Sequence, residues 1–271
     1  MRLSDVINEE WLDTKKVKKD YMQASPFPHI VMHNFIKLEL LTKIANEFPD
    51  LSKLQGSVKI FDNSREVKLA SQGMEDLSPQ ALYLTSYLQS DLFLKWLNEL
   101  SSISEPLISD PYLSGGGYHE IKKGGFLKIH ADYNKHPKSD LDRRLNLLIY
   151  LNKDWEDEWG GGLQLFGDDM DLPQQKVIPR FNTAVIFTTT SYTYHGHPDP
   201  LSCPSNRSRQ SLAYYYFSIG RPESESSKSV HSTLFKERIG ESFASKVSFK
   251  SVAKELIPPI IVKLVKRVAG K

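Results

Sequence analysis

His130 and Asp132 stand one residue apart at the head of "HADYNKHP". In an extended strand, residues i and i+2 project from the same face, so this imidazole and carboxylate can converge on one point. A mixed nitrogen and oxygen pair suits a divalent transition metal, and a second histidine completes a two-histidine, one-carboxylate facial set. Three positions on one side of an octahedral metal then stay open, room for a bidentate organic acid and O2. The second histidine has to come from another strand, far along the chain. "TYHGHPDP" supplies two candidates, His195 and His197. Further on, Arg209 directly precedes the β-leaning run "QSLAYYYF". Its guanidinium is a bidentate clamp for the far carboxylate of a dicarboxylic ligand. Arg207, two residues earlier, is the alternative.

Each of these residues also has a plainer reading. A His-x-Asp pair alone is commonly a strand-end hydrogen bond, and Arg209 can bridge a surface carboxylate. The ordered combination is what singles them out. Other chemistry-like stretches fall away. "HE" at His119–Glu120 is no zincin motif, because Lys123 stands where the second histidine belongs. Gly115–Gly117 and Gly160–Gly162 precede no helix, so they read as turns and not as phosphate cradles.

The elements that must hold these groups are mostly strands. "YHEIKKGGFLKIHAD", "RRLNLLIYLN", "GGLQLF", "TAVIFTTT" and "QSLAYYYFSI" are β-branched or aromatic runs cut by Gly, Pro and Asp turns. This pattern predicts a sandwich or jelly roll. Upstream, "PFPHIVMHNFI" predicts a strand. Leu38, Leu41, Ile44, Ala45 and Phe48 recur at helical spacing. "SPQALYLTSYLQSDLFLKWLNELS" predicts two helices, with Pro79 in the first turn. Residues 52–75 read as polar and irregular. The expected organisation is an N-terminal helix and linker over 1–24, a catalytic domain over 25–220, and a serine-rich connector with a helical tail over 221–271. The fold class is mainly β with flanking helices (α+β). The tail mixes Ile257, Ile260, Ile261, Leu264, Val265 and Val268 with Lys263, Lys266, Arg267 and Lys271. Such a basic amphipathic segment suits peripheral membrane contact or self-association.

Composition narrows the function classes. With 35 basic and 33 acidic residues the net charge is +2, too balanced to point to nucleic acid. Cys203 is the one cysteine, so an internal disulfide framework is impossible and a cysteine-based zinc site is disfavoured. "MRLSDVINEEWLDTKK" has no apolar signal-peptide core, and no run of 18 apolar residues occurs. A cytoplasmic protein is expected.

The ordered set His130-x-Asp132, His195 and Arg209 resembles the Fe(II)- and 2-oxoglutarate-dependent oxygenases, and among them the prolyl 4-hydroxylase-like branch. "RRLNLLIYLNKDWEDEWGGGLQLF", "KVIPRFNTAVIF" and "PFPHIVMHNFI" resemble that branch's strand and hairpin pattern, so the likeness covers about residues 25–220. The resemblance implies a double-stranded β-helix (jelly roll) with iron on His130, Asp132 and the distal histidine. Relatives commonly place that ligand first in an H-G-x-P or H-x-V-x-P turn, which favours His195 over His197. It implies 2-oxoglutarate with its far carboxylate on Arg209, O2 as oxidant and ascorbate as reductant. In the hypoxia-sensing prolyl hydroxylases a tyrosine matching Tyr150 also contacts that carboxylate. Alternation places Asn146 on the same face as Tyr150, so Asn146 is expected to line the co-substrate cavity. The implied activity is hydroxylation of a substrate C–H bond, with peptidyl proline as the family-weighted substrate. A sugar, glycan or small molecule remains the alternative. The rivals are a zinc hydrolase using the same triad, which leaves Arg209 unexplained, and an inactive jelly-roll scaffold module.

Overall fold

Thirteen strands form one sheet among the described residues. In chain order they are β1 (His29–His33), β2 (Val58–Asp62), β3 (Glu66–Ser71), β4 (Ile108–Ser109), β5 (Gly117–Lys122), β6 (Phe126–Ala131), β7 (Asp142–Tyr150), β8 (Leu163–Phe166), β9 (Pro173–Val177), β10 (Thr183–Thr188), β11 (Tyr194–His197), β12 (Ser208–Ser218) and β13 (Leu234–Phe235). The helices are α1 (Thr14–Gln23), α2 (Leu38–Asn46), α3 (Pro79–Leu88) and α4 (Asp91–Ser101). The computed structural model describes residues 2–54, 58–225 and 229–242.

The pairing order β1-β10-β7-β12-β5-β3-β6-β11-β8-β9 is antiparallel throughout, with β2, β4 and β13 attached at the side. The sheet curls into the expected jelly roll. Alternation assigns its two faces. Leu145, Leu147 and Ile149 of β7, with Leu212, Tyr214 and Tyr216 of β12, join the large core beneath the helices. The intervening Tyr150 and Leu148 face inward, with Val185 and Phe187 of β10 and Leu163 and Leu165 of β8.

The helices form where the spacing predicts them and are capped by their own sequence. Ser78 and Ser90 accept hydrogen bonds from the amides of Ala81 and Phe93 at the starts of α3 and α4. Such a cap contributes about 1 kcal/mol. Phe93, Trp96, Leu97 and Leu100 lie on the buried side of α4. The N-terminal stretch is part of the same core: Val6, Ile7, Val17 and Tyr21 are buried in it.

Residues 58–71 depart from expectation. They form the β2–β3 hairpin, closed by Asn63, whose side chain accepts from the amides of Arg65 and Glu66. Several of its side chains, Lys59, Glu66 and Lys68 among them, line a water-facing cavity. A strand with charge on its inner face lacks the apolar–polar alternation by which strands are read.

The chain divides into units Met1–Glu241 and Ser242–Lys271. The expected boundary at 220 falls inside the first. Beyond it, β13 pairs with β6, placing Phe235 opposite His130. The expected helical tail lies outside the described residues.

Candidate active site

His195 and His130 are direct partners on the antiparallel strands β11 and β6. Their rings lie 4.5 Å apart between centroids. Asp132, two residues past His130, brings Oδ1 to 3.7 Å from His130 Nε2 and Oδ2 to 3.4 Å from His195 Nε2. One ligand atom from each of the three lies within 4.8 Å of the others. Gly196 allows the two strands to approach, since a Cβ there would sit 2.8 Å from the Leu127 carbonyl oxygen and 2.9 Å from that of Lys128.

The donor set fits a divalent transition metal. His130 Nδ1 lies 2.8 Å from the Lys128 carbonyl oxygen and His195 Nδ1 lies 3.1 Å from that of Thr193. A carbonyl only accepts, so each Nδ1 carries the proton and each Nε2 presents a lone pair toward Asp132. This is the arrangement that metal-binding histidines use. Burial, and then repulsion from His130, pushes the His195 pKa down to about 4, which keeps the ring neutral.

Asp132 is held by two further residues. Burial by itself would raise its pKa, but Arg143, followed by the two histidines, outweighs this and keeps the carboxyl well below its usual range. Arg143 Nη2 lies 3.1 Å from Asp132 Oδ2, and Asn146 Nδ2 donates to the same oxygen at 2.8 Å. Arg143 also donates from Nε and Nη2 to Asn146 Oδ1. Its guanidinium stacks on Tyr215 at 3.6 Å from the ring centroid. Asn146 therefore faces the cavity as alternation predicts, but its amide is engaged with Asp132 and Arg143. Sequence reading missed Arg143 because strict alternation from Asn146 points Arg144 inward. The β7–β12 register breaks at Tyr216/Phe217, and this break brings Arg143 inward and sends Arg144 outward to Glu105 and Glu225.

Arg209 and Ser211 line the inner end of the same cavity. Arg209 is 4% exposed, and no carboxylate pairs with it among the described residues. Burial accordingly lowers its pKa, against the pull of Tyr150. It donates from Nε to the Gly161 carbonyl at 2.8 Å and from Nη2 to the Tyr150 hydroxyl at 3.2 Å. Gly161 has φ +71°, and a Cβ there would meet Arg209 Cδ at 3.0 Å. The glycine run read as a plain turn thus lets the backbone reach the guanidinium. Arg207 lies away from this cavity, with its guanidinium donating to the Lys153 carbonyl. His197 faces the inner chamber beside Arg209 and is not part of the metal-capable cluster. Burial, then the positive charges of Arg209 and Lys68, hold its pKa well below the ordinary value. Toward the mouth, Tyr133, Tyr215, Lys68 and Thr233 border a chamber of about 270 Å³. Thr233 comes from the 221–271 segment, beyond the expected end of the catalytic domain.

Residues 116–217 match the model of the 2OG-Fe(II) oxygenase superfamily. This stretch contains His130, Asp132, His195 and Arg209 in the expected order. This stretch is similar to a 2OG-Fe(II) oxygenase domain. Prolyl 3-hydroxylase OGFOD1 of Xenopus laevis is 24% identical over 207 residues, covering 74% of this chain and 37% of that protein. Its counterpart in Mus musculus is 28% identical over 211 residues, covering 74% of this chain and 35% of that protein. The chain therefore spans little more than a third of the length of these curated relatives. The fold matches that of a Pseudomonas putida prolyl-4-hydroxylase, with TM-score 0.56, 17% identity, and coverage of 76% of this chain and 100% of that one. It likewise matches a Trichoplax adhaerens prolyl hydroxylase in complex with a peptide fragment of hypoxia-inducible factor, with TM-score 0.56, 16% identity, and coverage of 76% and 89%.

Proposed function

We propose that this chain is an Fe(II)- and 2-oxoglutarate-dependent hydroxylase acting on prolyl residues of a peptide or protein. The observation that carries the reading is the pairing, in one cavity, of a two-histidine, one-carboxylate cluster with a buried guanidinium that has no acid partner among the described residues. An uncompensated buried cation is costly, so Arg209 is built for an anion that arrives with the ligand. A zinc hydrolase has no use for it. The names of the curated relatives and the peptide-bound fold relative support a peptidyl prolyl substrate.

His130, Asp132 and His195 would hold the iron through two Nε2 atoms and one carboxylate oxygen. Bound iron, with 2-oxoglutarate and O2, supplies an oxidative decarboxylation to succinate and CO2 coupled to substrate hydroxylation, and ascorbate serves as reductant. The chain's own part is positional. The carbonyls of Lys128 and Thr193 fix the histidine tautomers. Arg143 and Asn146 orient the carboxylate and keep it ionised. Arg209 and the Tyr150 hydroxyl hold the far carboxylate of the co-substrate. Phe187, edge-on to the His195 ring at 4.7 Å between centroids, and Leu148 and Leu163 restrict water on the inner side. Tyr133 and Tyr215 offer aromatic surface at the mouth, suited to a pyrrolidine ring. A cytoplasmic site of action belongs to the same reading, supported by the lone buried Cys203. Among the described residues no helix is long and apolar enough to cross a membrane.

The test is succinate formation from 2-oxoglutarate by the full chain, with and without Fe(II), and with proline-containing peptides against their alanine counterparts. Iron-dependent succinate, raised by the proline peptides and carrying a +16 Da product, supports the proposal (one added oxygen atom). No iron-dependent turnover under any of these conditions overturns it.

A further inference from the structure

His197 is 3% exposed, and neither of its ring nitrogens has a hydrogen-bond partner. The other buried histidines are tied down: His29 to the Phe27 carbonyl, His130 to that of Lys128, His195 to that of Thr193, and His136 to Ser139. A buried polar ring left without a partner calls for an explanation. No neighbouring side chain supplies that partner. The inner chamber that His197 lines contains the cations Arg209 and Lys68, which can only donate, the apolar side chains Leu127, Ile121 and Leu163, and polar groups such as Ser211 and Asn146 that make no hydrogen bond to its ring. An imidazole carries at least one ring N–H, and here neither ring nitrogen is hydrogen-bonded.

Metal ligation does not supply the missing partner. His197 shares strand parity with His195, but the β11–β6 register breaks between them, so that His195 opposes His130 while His197 opposes Leu127. The cluster of convergent ligand atoms contains His130, Asp132 and His195 and omits His197. The imidazole belongs instead to the Arg209 end of the chamber.

We infer that His197 donates a ring N–H hydrogen bond to the distal carboxylate of 2-oxoglutarate, as a third donor beside Arg209 and Tyr150. A carboxylate has two oxygens with about four lone-pair sites, enough for a guanidinium, a phenol and an imidazole together. The inference rests on the oxygenase reading and extends it to a residue specific to this chain's "HGHP" turn. His197 would then help select a five-carbon dicarboxylic co-substrate over monocarboxylic 2-oxo acids.

The experiment uses the full chain loaded with Mn(II) and measures binding by calorimetry for two ligands, 2-oxoglutarate and 2-oxopentanoate. The latter keeps the chelating end and replaces the distal carboxylate with a methyl group. Losing one charge-assisted hydrogen bond should weaken 2-oxoglutarate binding about tenfold or more in His197→Val. Mn(II) and 2-oxopentanoate affinities should stay within about twofold, because neither involves that bond. His197→Gln, which keeps an N–H donor, should recover part of the loss. Equal 2-oxoglutarate affinity in wild type and His197→Val overturns the inference. So does a parallel loss for both acids, or loss of Mn(II) binding, since either gives His197 a structural or metal-binding role. If the Mn(II)-loaded wild type binds neither 2-oxo acid, the oxygenase reading falls and takes the inference with it. A wild type that binds 2-oxoglutarate normally alongside an unchanged His197→Val removes the inference alone.

Discussion

The imidazoles of His130 and His195 face each other across the β6–β11 ladder, 4.5 Å apart between centroids, with the Asp132 carboxylate within 3.7 Å of both Nε2 atoms. The cluster is thus one cross-strand pair plus a residue two further on, a geometry that strand register alone maintains.

Metal binding should follow this cluster. The melting temperature of the wild type should rise with added Mn(II), since a ligand at a hundred times its dissociation constant stabilises by about 2.7 kcal/mol. Asp132→Ala and His195→Ala should show no such rise, and His197→Ala should keep it. Thermal unfolding with and without Mn(II) reads all four proteins. A Mn(II)-dependent shift surviving in His195→Ala but lost in His197→Ala would reverse the choice of distal ligand.

Asn146 should act on the metal and not on the co-substrate. Removing a residue that orients a metal-bound carboxylate typically costs about 10–100-fold in metal affinity. Asn146→Ala and Arg143→Met should each show a loss of that order in Mn(II) titrations. At saturating Mn(II), the 2-oxoglutarate affinity of Asn146→Ala should equal the wild-type value. An intact Mn(II) affinity with weakened 2-oxoglutarate binding would return Asn146 to the co-substrate.

Arg209 should dominate co-substrate affinity. Truncating one partner of a buried charge pair costs about 3–5 kcal/mol, which is more than about a hundredfold in binding. Calorimetric titration of Arg209→Ala should show that drop. Tyr150→Phe should lose about three- to tenfold, the effect of a single hydrogen bond. An unchanged dissociation constant in Arg209→Ala would refute the anion role.

Gly196→Ala should be destabilising and should weaken metal binding. The added Cβ would fall within 2.9 Å of two β6 carbonyl oxygens and force β11 away from β6. Overpacking of this kind costs about 1–3 kcal/mol. A wild-type urea midpoint together with wild-type Mn(II) affinity would show that the strands do not need this close approach.

The connector should be part of the working domain. Phe235 packs against the His130 ring with centroids 5.6 Å apart, and Lys128 pairs with Glu241. A chain ending at Ser242 should bind Mn(II) and 2-oxoglutarate as the full chain does. Ending it at residue 228 removes β13 from β6 and should lower both the melting temperature and Mn(II) affinity. Equal behaviour of the two truncations would show that β13 is dispensable.

The candidate site was legible because its groups are encoded in residue type and order. His130 and Asp132 share a face by strand parity, and Arg209, Ser211 and Tyr215 keep the inward parity along β12. The capped helices and the Gly-punctuated strands were legible for the same reason, since caps and turns are local. The β2–β3 hairpin was hidden by charges on its cavity-facing side, and the connector by its serine-rich composition. Neither signal speaks of the long-range pairing that orders these residues.

The sequence by itself determined the set of groups, their order, and the faces that regular strands present. Tertiary structure alone decided which groups meet. The β7–β12 register break exchanges Arg143 for Arg144 beside Asp132, and the β11–β6 break separates His197 from the metal-capable cluster. A one-residue shift in pairing reverses which side of a strand faces the cavity. Such shifts depend on how neighbouring strands pack, which no short stretch of sequence records.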